Sequence, residues 1–394
     1  MQLEGLLQLK GPSQLKEQKL RCFPLGRSSY YHHHRISRIH NNQPYNERIF
    51  HSINSTMSCT CNTNVFGKLK ELADSKASSK WDVLMVLSEM QKEIGRLLTE
   101  TVSANDCPCH GNCVKKPPKT VQDFLDHINS VLKDQGLSDF YKPDDLRLKE
   151  IAEKAAEYAK NHPDGPLGKP EDTADLCQLG LYDNICFLDD SGSMKEDNRI
   201  QSLKEILKRV VSITGLLDFD GVQIRWLNYA NDSTMNDIYE PAGLTPIFNV
   251  VKFDGSTPLG TKLKQKVIDP MIVAKLAGKQ LKKPIIVSII TDGEPNEEPV
   301  DQLEKSIKEC KDALVKNGYK ENHVLFQISQ IGNSKGAEKF LNDLKADKNI
   351  RRLLYLTSGS LDKQMELFHE QENELQKWLL NIMLAPVRPG ASGP

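Results

Sequence analysis

The fold is decided by the stretch ICFLDDSGS at residues 185–193, in which a short apolar run leads directly into acidic and hydroxyl residues. In a second stretch, IIVSIITDGEP at residues 285–295, an apolar run likewise leads directly into hydroxyl and acidic residues. Short apolar runs that are bounded by turn-forming residues are typical of strands buried on both faces of a parallel sheet. The two stretches therefore predict two buried strands, each of which ends in a polar loop.

Further apolar runs of the same kind alternate with amphipathic helical stripes, which lie between Ile200 and Ile213 and between Leu303 and Leu314. The predicted strands are Ile185–Leu188, Val222–Leu227, Ile285–Ile290, Val324–Ile328 and Leu353–Leu356. A last helix is predicted from about Leu361 to Leu384. Alternating strands and helices indicate an α/β fold, with a doubly wound, mainly parallel sheet and helices on both faces.

The sequence before this region predicts a helical N-terminal region. Thr120 and Asp123 form a predicted capping box, and a further helix is predicted from Pro143 to Lys160. The Pro- and Gly-rich residues 162–170 indicate a domain boundary. The predicted segments are a disordered basic tail (1–56), a helical region with Cys-rich segments (57–162), a linker (163–175), the α/β domain (176–384) and a flexible C-terminus (385–394).

The charge balance excludes several classes of partner. Fifty-two Lys and Arg residues against 53 Asp and Glu give a net charge of −1, so no global field draws the protein onto nucleic acid or anionic lipid.

Apolar runs are too short for a membrane span, and the first residues lack the features of a secretory signal. We predict a cytoplasmic, intracellular protein with reduced cysteines. The basic tail is interpreted either as a targeting peptide or as sequence upstream of a start at Met57.

The polar loops after the predicted strands supply candidate metal ligands. Asp189, Ser191 and Ser193 alternate along the first loop, and Asp292 follows the strand Ile285–Ile290. Thr257 lies between them in a loop that precedes an amphipathic helix. Because ligands of open α/β sheets bind beyond the carboxyl ends of the strands, we expect these five side chains to converge. Two carboxylates and three hydroxyls form an all-oxygen set that suits Mg²⁺, or another divalent cation such as Mn²⁺.

These motifs resemble the von Willebrand factor A-type (vWA) domain and its metal-ion-dependent adhesion site, over about Leu176 to Leu384. The resemblance is carried by the D-x-S-x-S loop, the threonine loop from Thr257 to Gly260 and the T-D-G strand end. It implies a Rossmann-like fold in which the hydroxyls of Ser191, Ser193 and Thr257 touch the ion and the two carboxylates act through water. It also implies a non-catalytic, intracellular protein-interaction module whose partner supplies an Asp or Glu carboxylate.

Two other interpretations stay open. A phosphatase or phosphotransferase of the haloacid dehalogenase type also places an Asp after a first strand, but it needs a second Asp two residues later as acid and base. That position is Ser191 here, and Asp190 should point the other way because side chains alternate. The second alternative is a purely structural, metal-free scaffold, in which the Asp, Ser and Gly residues form ordinary turns.

The N-terminal half contains a separate cluster of potential metal ligands, namely Cys59, Cys61, Cys107, Cys109, His110 and Cys113. Five thiols and an imidazole exceed what a tetrahedral Zn²⁺ site needs, although the spacing fits no standard zinc finger. The alternative is a set of free thiols. Cys186 and Cys310 lie in apolar stripes and are predicted to be core residues.

Overall fold

The computed structural model describes residues 117–142, 144–218, 220–346, 353–368 and 371–388. The predicted tail (1–56), the first part of the predicted helical region (57–116) and the cysteine cluster lie outside these residues and stay predictions. Within the described ranges, no helix combines the length and the apolar character that a membrane span requires.

The described residues form a five-stranded sheet in the spatial order β2-β1-β3-β4-β5, and every neighbouring pair is parallel. Its strands are β1 (Asp183–Leu188), β2 (Val222–Trp226), β3 (Ile285–Thr291), β4 (Val324–Gln330) and β5 (Leu354–Ser360). The predicted fold class is therefore confirmed: a Rossmann-like, doubly wound parallel sheet with flanking helices.

Helices precede, connect and follow the strands. They are α1 (Val121–Asp134), α2 (Leu146–Asn161), α3 (Pro170–Gly180), α4 (Arg199–Thr214), α5 (Leu244–Val250), α6 (Leu259–Leu263), α7 (Ala274–Leu276), α8 (Gln302–Lys316), α9 (Lys335–Ala346), α10 (Leu361–Leu367) and α11 (Glu372–Leu384). A π-helical segment, Lys264–Val273, joins α6 to α7. No helix was predicted from the sequence at α3, α5 or α9.

Apolar side chains cover both faces of the sheet, as strand alternation requires. In β1, Ile185 and Phe187 belong to one apolar cluster, which also contains buried residues of α6 and α8. Cys186 and Leu188 belong to the cluster on the other face, which contains buried residues of α1 to α4 and of α11. Cys186 and Cys310 are buried free thiols, as predicted.

Helices α1 and α2 pack onto the same core as the sheet. The predicted capping box is present, because the Thr120 hydroxyl accepts from the Asp123 amide at 3.2 Å and the Asp123 carboxylate accepts from the Thr120 amide at 2.9 Å. Further along, the Tyr141 hydroxyl donates to the Leu181 carbonyl at 2.5 Å, just before β1. Helices α1 and α2 therefore belong to the compact unit Lys116–Pro394.

The structure corrects the predicted linker over residues 163–175. Residues 170–175 are the first part of helix α3, which begins with Pro170 at its first position. The Thr173 hydroxyl donates to the Leu167 carbonyl at 2.9 Å, and Leu176 is 1% exposed. The Pro- and Gly-rich composition marks a turn between two packed helices, because α3 buries its apolar face against α1 and α2.

Two predictions at the C-terminal end also need correction. The single predicted helix is two helices, α10 and α11. The predicted flexible C-terminus (385–394) is packed as far as it is described: Ala385–Val387 forms a 3₁₀ turn with Val387 buried, and the Arg388 guanidinium lies 2.7 Å from the Asp175 carboxylate. Residues 389–394 lie outside the described part of the chain.

His323, which is buried directly before β4, is expected to make the stability of the domain depend on pH. Its pKa is lowered, mainly because burial disfavours the imidazolium and also because Lys320 lies nearby. The unfolded chain therefore binds the proton more readily than the folded protein. The contribution of His323 to the free energy of unfolding is complete above pH ~6.5 and is lost as the pH falls through the lowered pKa of the folded state. We expect His323→Gln to lose less free energy of unfolding than the wild type between about pH 7.5 and about pH 5.5 in urea titrations.

The matched control for this prediction is His162→Gln, which replaces an exposed histidine at the end of α2. This variant should keep the pH dependence of the wild type. An identical loss of stability in the wild type and in His323→Gln would show that the histidine does not contribute.

Candidate metal centre

The candidate site lies where the direction of chain winding reverses in the sheet. The order β2-β1-β3-β4-β5 is one of the two common doubly wound orders, and its switch point lies between β1 and β3. Leu188 at the end of β1 pairs with Ile290 in β3. Asp189 and Asp292 therefore leave adjacent strands at the edge of the sheet where ligands of this fold class bind.

Asp189 is held by hydrogen bonds from both loops. One of its carboxylate oxygens accepts from the Ser191 amide at 2.9 Å, and the other accepts from the Thr291 hydroxyl at 2.6 Å. The residue is 1% exposed, and burial raises its pKa to about 6 against the opposing effect of these hydrogen bonds. A nearby cation would favour the ionised carboxylate.

The hydroxyls of Ser191 and Ser193 and the carboxylate of Asp292 form a continuous chain of contacts. The two hydroxyl oxygens are 3.1 Å apart, and the Ser193 hydroxyl donates to one oxygen of Asp292 at 2.9 Å. Ser191 and Asp292 are buried, whereas Ser193 is partly exposed. Gly192–Lys195 forms a 3₁₀ turn, so the loop is less extended than the predicted alternation of Asp189, Ser191 and Ser193 requires.

Thr257 lies in a third loop that is fastened to the other two. The Gly192 amide donates to the Gly255 carbonyl at 3.1 Å, which joins the third loop to the serine loop. The Thr257 amide donates to the Asn296 side chain at 2.8 Å, and the Asn296 amide donates back to the Thr257 carbonyl at 3.0 Å. Thr257 is 3% exposed. These backbone contacts fix the residue between the loops that follow β1 and β3.

Asp190 and Asn228 are supporting residues that connect the site to β2. The Asp190 carboxylate accepts from the backbone amides of Asn228 at 2.6 Å and Tyr229 at 2.8 Å, so it points away from Asp189 as the alternation argument predicts. The Asn228 side chain donates to the Ser256 carbonyl at 2.9 Å. Sequence reasoning missed Asn228, although its position directly after a predicted strand was an available indication.

Sequence reasoning also missed Arg199, the first residue of α4. Its guanidinium lies 2.5 Å from the second oxygen of Asp292 and donates to the Ser193 carbonyl at 3.1 Å. Arg199 is 6% exposed. The available indication was its spacing, since position 199 precedes Leu203 by four residues and therefore lies on the apolar face of the predicted helix.

The donor set fits a hard divalent cation by its chemistry. Among the described residues, no group of three or more His, Cys, Asp or Glu side chains could hold a metal. The candidate set has two carboxylates, and its remaining donors are hydroxyls. Such a set would hold Mg²⁺ or Mn²⁺ with water completing the shell, and would not suit soft metals. The possible zinc ligands Cys59, Cys61, Cys107, Cys109, His110 and Cys113 lie outside the described ranges.

No protein-family model matches the chain, and no curated protein matches it. Among solved structures, two of proximal thread matrix protein 1 (PTMP1) from the mussel byssus are similar to it, with 20% sequence identity and a TM-score of 0.35 in both cases. The similarity covers 51% of this chain and 48% or 47% of the mussel chain. The chain thus spans about half the length of that structure.

Proposed function

We propose that the described domain is a Mg²⁺-dependent protein-interaction module of the vWA type. In this proposal the hydroxyls of Ser191, Ser193 and Thr257 hold a divalent ion, and Asp189 and Asp292 supply negative charge. The observation that carries the proposal is the contact chain from Ser191 through Ser193 to Asp292, which joins residues about a hundred positions apart at the switch point of the sheet.

The chemistry of the donors indicates what the partner supplies. Neutral hydroxyls and water leave a bound dication with residual positive charge, so a carboxylate is a favourable additional ligand. Ser193 is the partly exposed member of the contact chain, which gives the site an open side. An Asp or Glu side chain of a protein partner meets both conditions. Buried free thiols at Cys177, Cys186 and Cys310 are in keeping with a reducing, intracellular setting.

The contacts of Asp190 argue against the haloacid dehalogenase interpretation. Both oxygens of this carboxylate accept backbone amides from the loop after β2, and the residue is 0% exposed. The acid–base group that the phosphatase mechanism needs would have to lie at residue 191, which is a serine. A non-catalytic site is therefore the simpler proposal for this arrangement.

Titration with MgCl₂ tests the proposal. Binding to the folded state alone should raise the melting temperature by about 5–10 °C at an ion concentration 100-fold above Kd. Thr257→Ala should weaken the binding at least about 10-fold in calorimetric titrations, because it removes a proposed ligand. The same variant should unfold at nearly the wild-type temperature in chelator, since no ion is then lost.

Thr261→Ala is the matched control, because it removes a threonine hydroxyl four residues away, in helix α6. This variant should bind Mg²⁺ as the wild type does. Absence of any Mg²⁺ or Mn²⁺ binding to the wild type would refute the metal site and leave the structural scaffold as the explanation. Equal Mg²⁺ affinity in Thr257→Ala and in the wild type would remove Thr257 from the site.

The partner half of the proposal needs a separate test. Proteins retained by the immobilised full chain in Mg²⁺ should be lost in chelator, and they should be lost equally with immobilised Thr257→Ala in Mg²⁺. Replacing acidic residues of a retained protein one at a time should identify a single carboxylate on which retention depends. Retention that is the same in Mg²⁺ and in chelator would contradict an ion-mediated contact.

A further inference from the structure

Arg199 places a fixed positive charge inside the proposed cation site. Its guanidinium contacts the Asp292 carboxylate at 2.5 Å and the Ser193 carbonyl at 3.1 Å, so it touches two residues of the proposed ion-binding set. With the Ser193 hydroxyl on its other oxygen, Asp292 has both carboxylate oxygens occupied. The charge that a divalent ion would balance at Asp292 is already balanced by this side chain.

The surrounding structure holds the guanidinium in place. Helix α4 carries Arg199 on the same face as the fully buried Leu203, and the side chain is 6% exposed. Gly332, with φ +75°, follows β4 and packs directly against it, since a Cβ there would lie 2.7 Å from Arg199 Nε. That Nε is buried and has no hydrogen-bond partner. The arginine is thus kept beside Asp292 at the cost of one unsatisfied donor.

The outer end of the same guanidinium reaches the exposed rim of the site. Its second terminal nitrogen lies 3.2 Å from the Asp197 carboxylate and 3.5 Å from the Glu196 carboxylate. Both acidic residues are exposed. Arg199 therefore bridges the buried carboxylate of Asp292 to two carboxylates at the surface of the site. If Asp292 interacted with an ion instead, the guanidinium could still pair with Glu196 and Asp197.

We propose that Arg199 is a tethered cation that balances Asp292 when no divalent ion is bound, and that it thereby lowers the affinity of the site for the ion. This inference rests on the proposed function, since it concerns the same site. A positive charge within hydrogen-bond distance of a proposed ligand repels an incoming dication. Arg199 would keep the domain folded when no ion is bound, and it would let a bound ion dissociate more readily.

The test compares charge-removing and charge-keeping variants by titration with MnCl₂, read by the electron paramagnetic resonance of free Mn²⁺. Arg199→Gln should lower the dissociation constant for Mn²⁺ about 10-fold or more, whereas Arg199→Lys should stay within about threefold of the wild type. Arg209→Gln is the control, because Arg209 lies on the same helix and pairs with Glu372 instead. It should bind Mn²⁺ as the wild type does.

Thermal unfolding gives a second readout. Without the ion, Arg199→Gln should melt below the wild type, because Asp292 is left buried without its cation. Saturating MnCl₂ should raise the melting temperature of the variant by more degrees than it raises that of the wild type. If Arg199→Gln does not fold alone, refolding in MnCl₂ should recover it, and failure to do so overturns the proposal.

The remaining outcomes separate this inference from the proposed function. Unchanged or weaker Mn²⁺ binding by Arg199→Gln, with normal binding by the wild type, overturns the role of Arg199 and leaves the metal site standing. Binding by Arg199→Gln without binding by the wild type supports the role of Arg199 and contradicts an ion-dependent wild-type module. Binding by neither protein overturns both.

Discussion

A fragment that begins at residue 163, the predicted start of the linker, is expected not to fold, whereas a fragment that begins at residue 117 folds cooperatively. The shorter fragment lacks α1 and α2, whose buried residues share one apolar cluster with α3 and the sheet. It would expose side chains such as Leu176, Leu179 and Tyr182, each at most 2% exposed in the folded domain. Each costs about 1.5–3 kcal/mol to uncover.

The loss is large on the scale of domain stability. Three such side chains account for roughly 5–9 kcal/mol, which is comparable to the 5–15 kcal/mol that separates folded from unfolded states in typical domains. The hydrogen bonds from Tyr141 to Leu181 and from Tyr182 to Gln135 are lost as well. Circular dichroism and urea titration of the two fragments measure the effect. Equal free energies of unfolding would restore the predicted boundary.

Gly260→Ala is expected to destabilise the domain by about 3 kcal/mol or more, because backbones approach each other closely at this position. A Cβ on Gly260 would lie 2.3 Å from the Leu303 amide nitrogen and 2.5 Å from the Leu303 Cα. The obstacle is backbone, so no side-chain rotation relieves the clash. Gly260 is the second residue of α6, the helix after Thr257. Its carbonyl accepts a 2.9 Å hydrogen bond from the Ser306 hydroxyl of α8. The substitution should force α6 and α8 apart.

The matched control is Gly293→Ala, in the T-D-G segment beside the site. A Cβ on Gly293 would meet nothing within 4 Å, and its φ is not positive, so alanine should change the free energy of unfolding by less than about 1 kcal/mol. Urea unfolding of both variants at neutral pH provides the comparison. A loss in Gly260→Ala no larger than in Gly293→Ala would contradict the close approach.

The position of the sheet and of the candidate site followed from local sequence patterns. The runs that begin at Ile185 and Ile285 are buried strands because their apolar residues must be covered on two faces, which is a property of a short segment. Asp189 and Asp292 each follow such a run directly, so a parallel arrangement places both at one edge. Ser191 and Ser193 followed from the same loop. These inferences needed no knowledge of distant contacts.

The sequence by itself determined the α/β class, the order of the strands along the chain and the position of Asp189, Ser191, Ser193 and Asp292 beyond the ends of β1 and β3. Only the tertiary structure decided that α1 and α2 belong to the same core, that Gly260 meets α8, and that Arg199 faces Asp292. The physical reason is that each of these contacts joins residues dozens of positions apart or more. A composition such as the Pro- and Gly-rich turn before α3 specifies local backbone geometry, and it does not specify which apolar surface the next helix will cover.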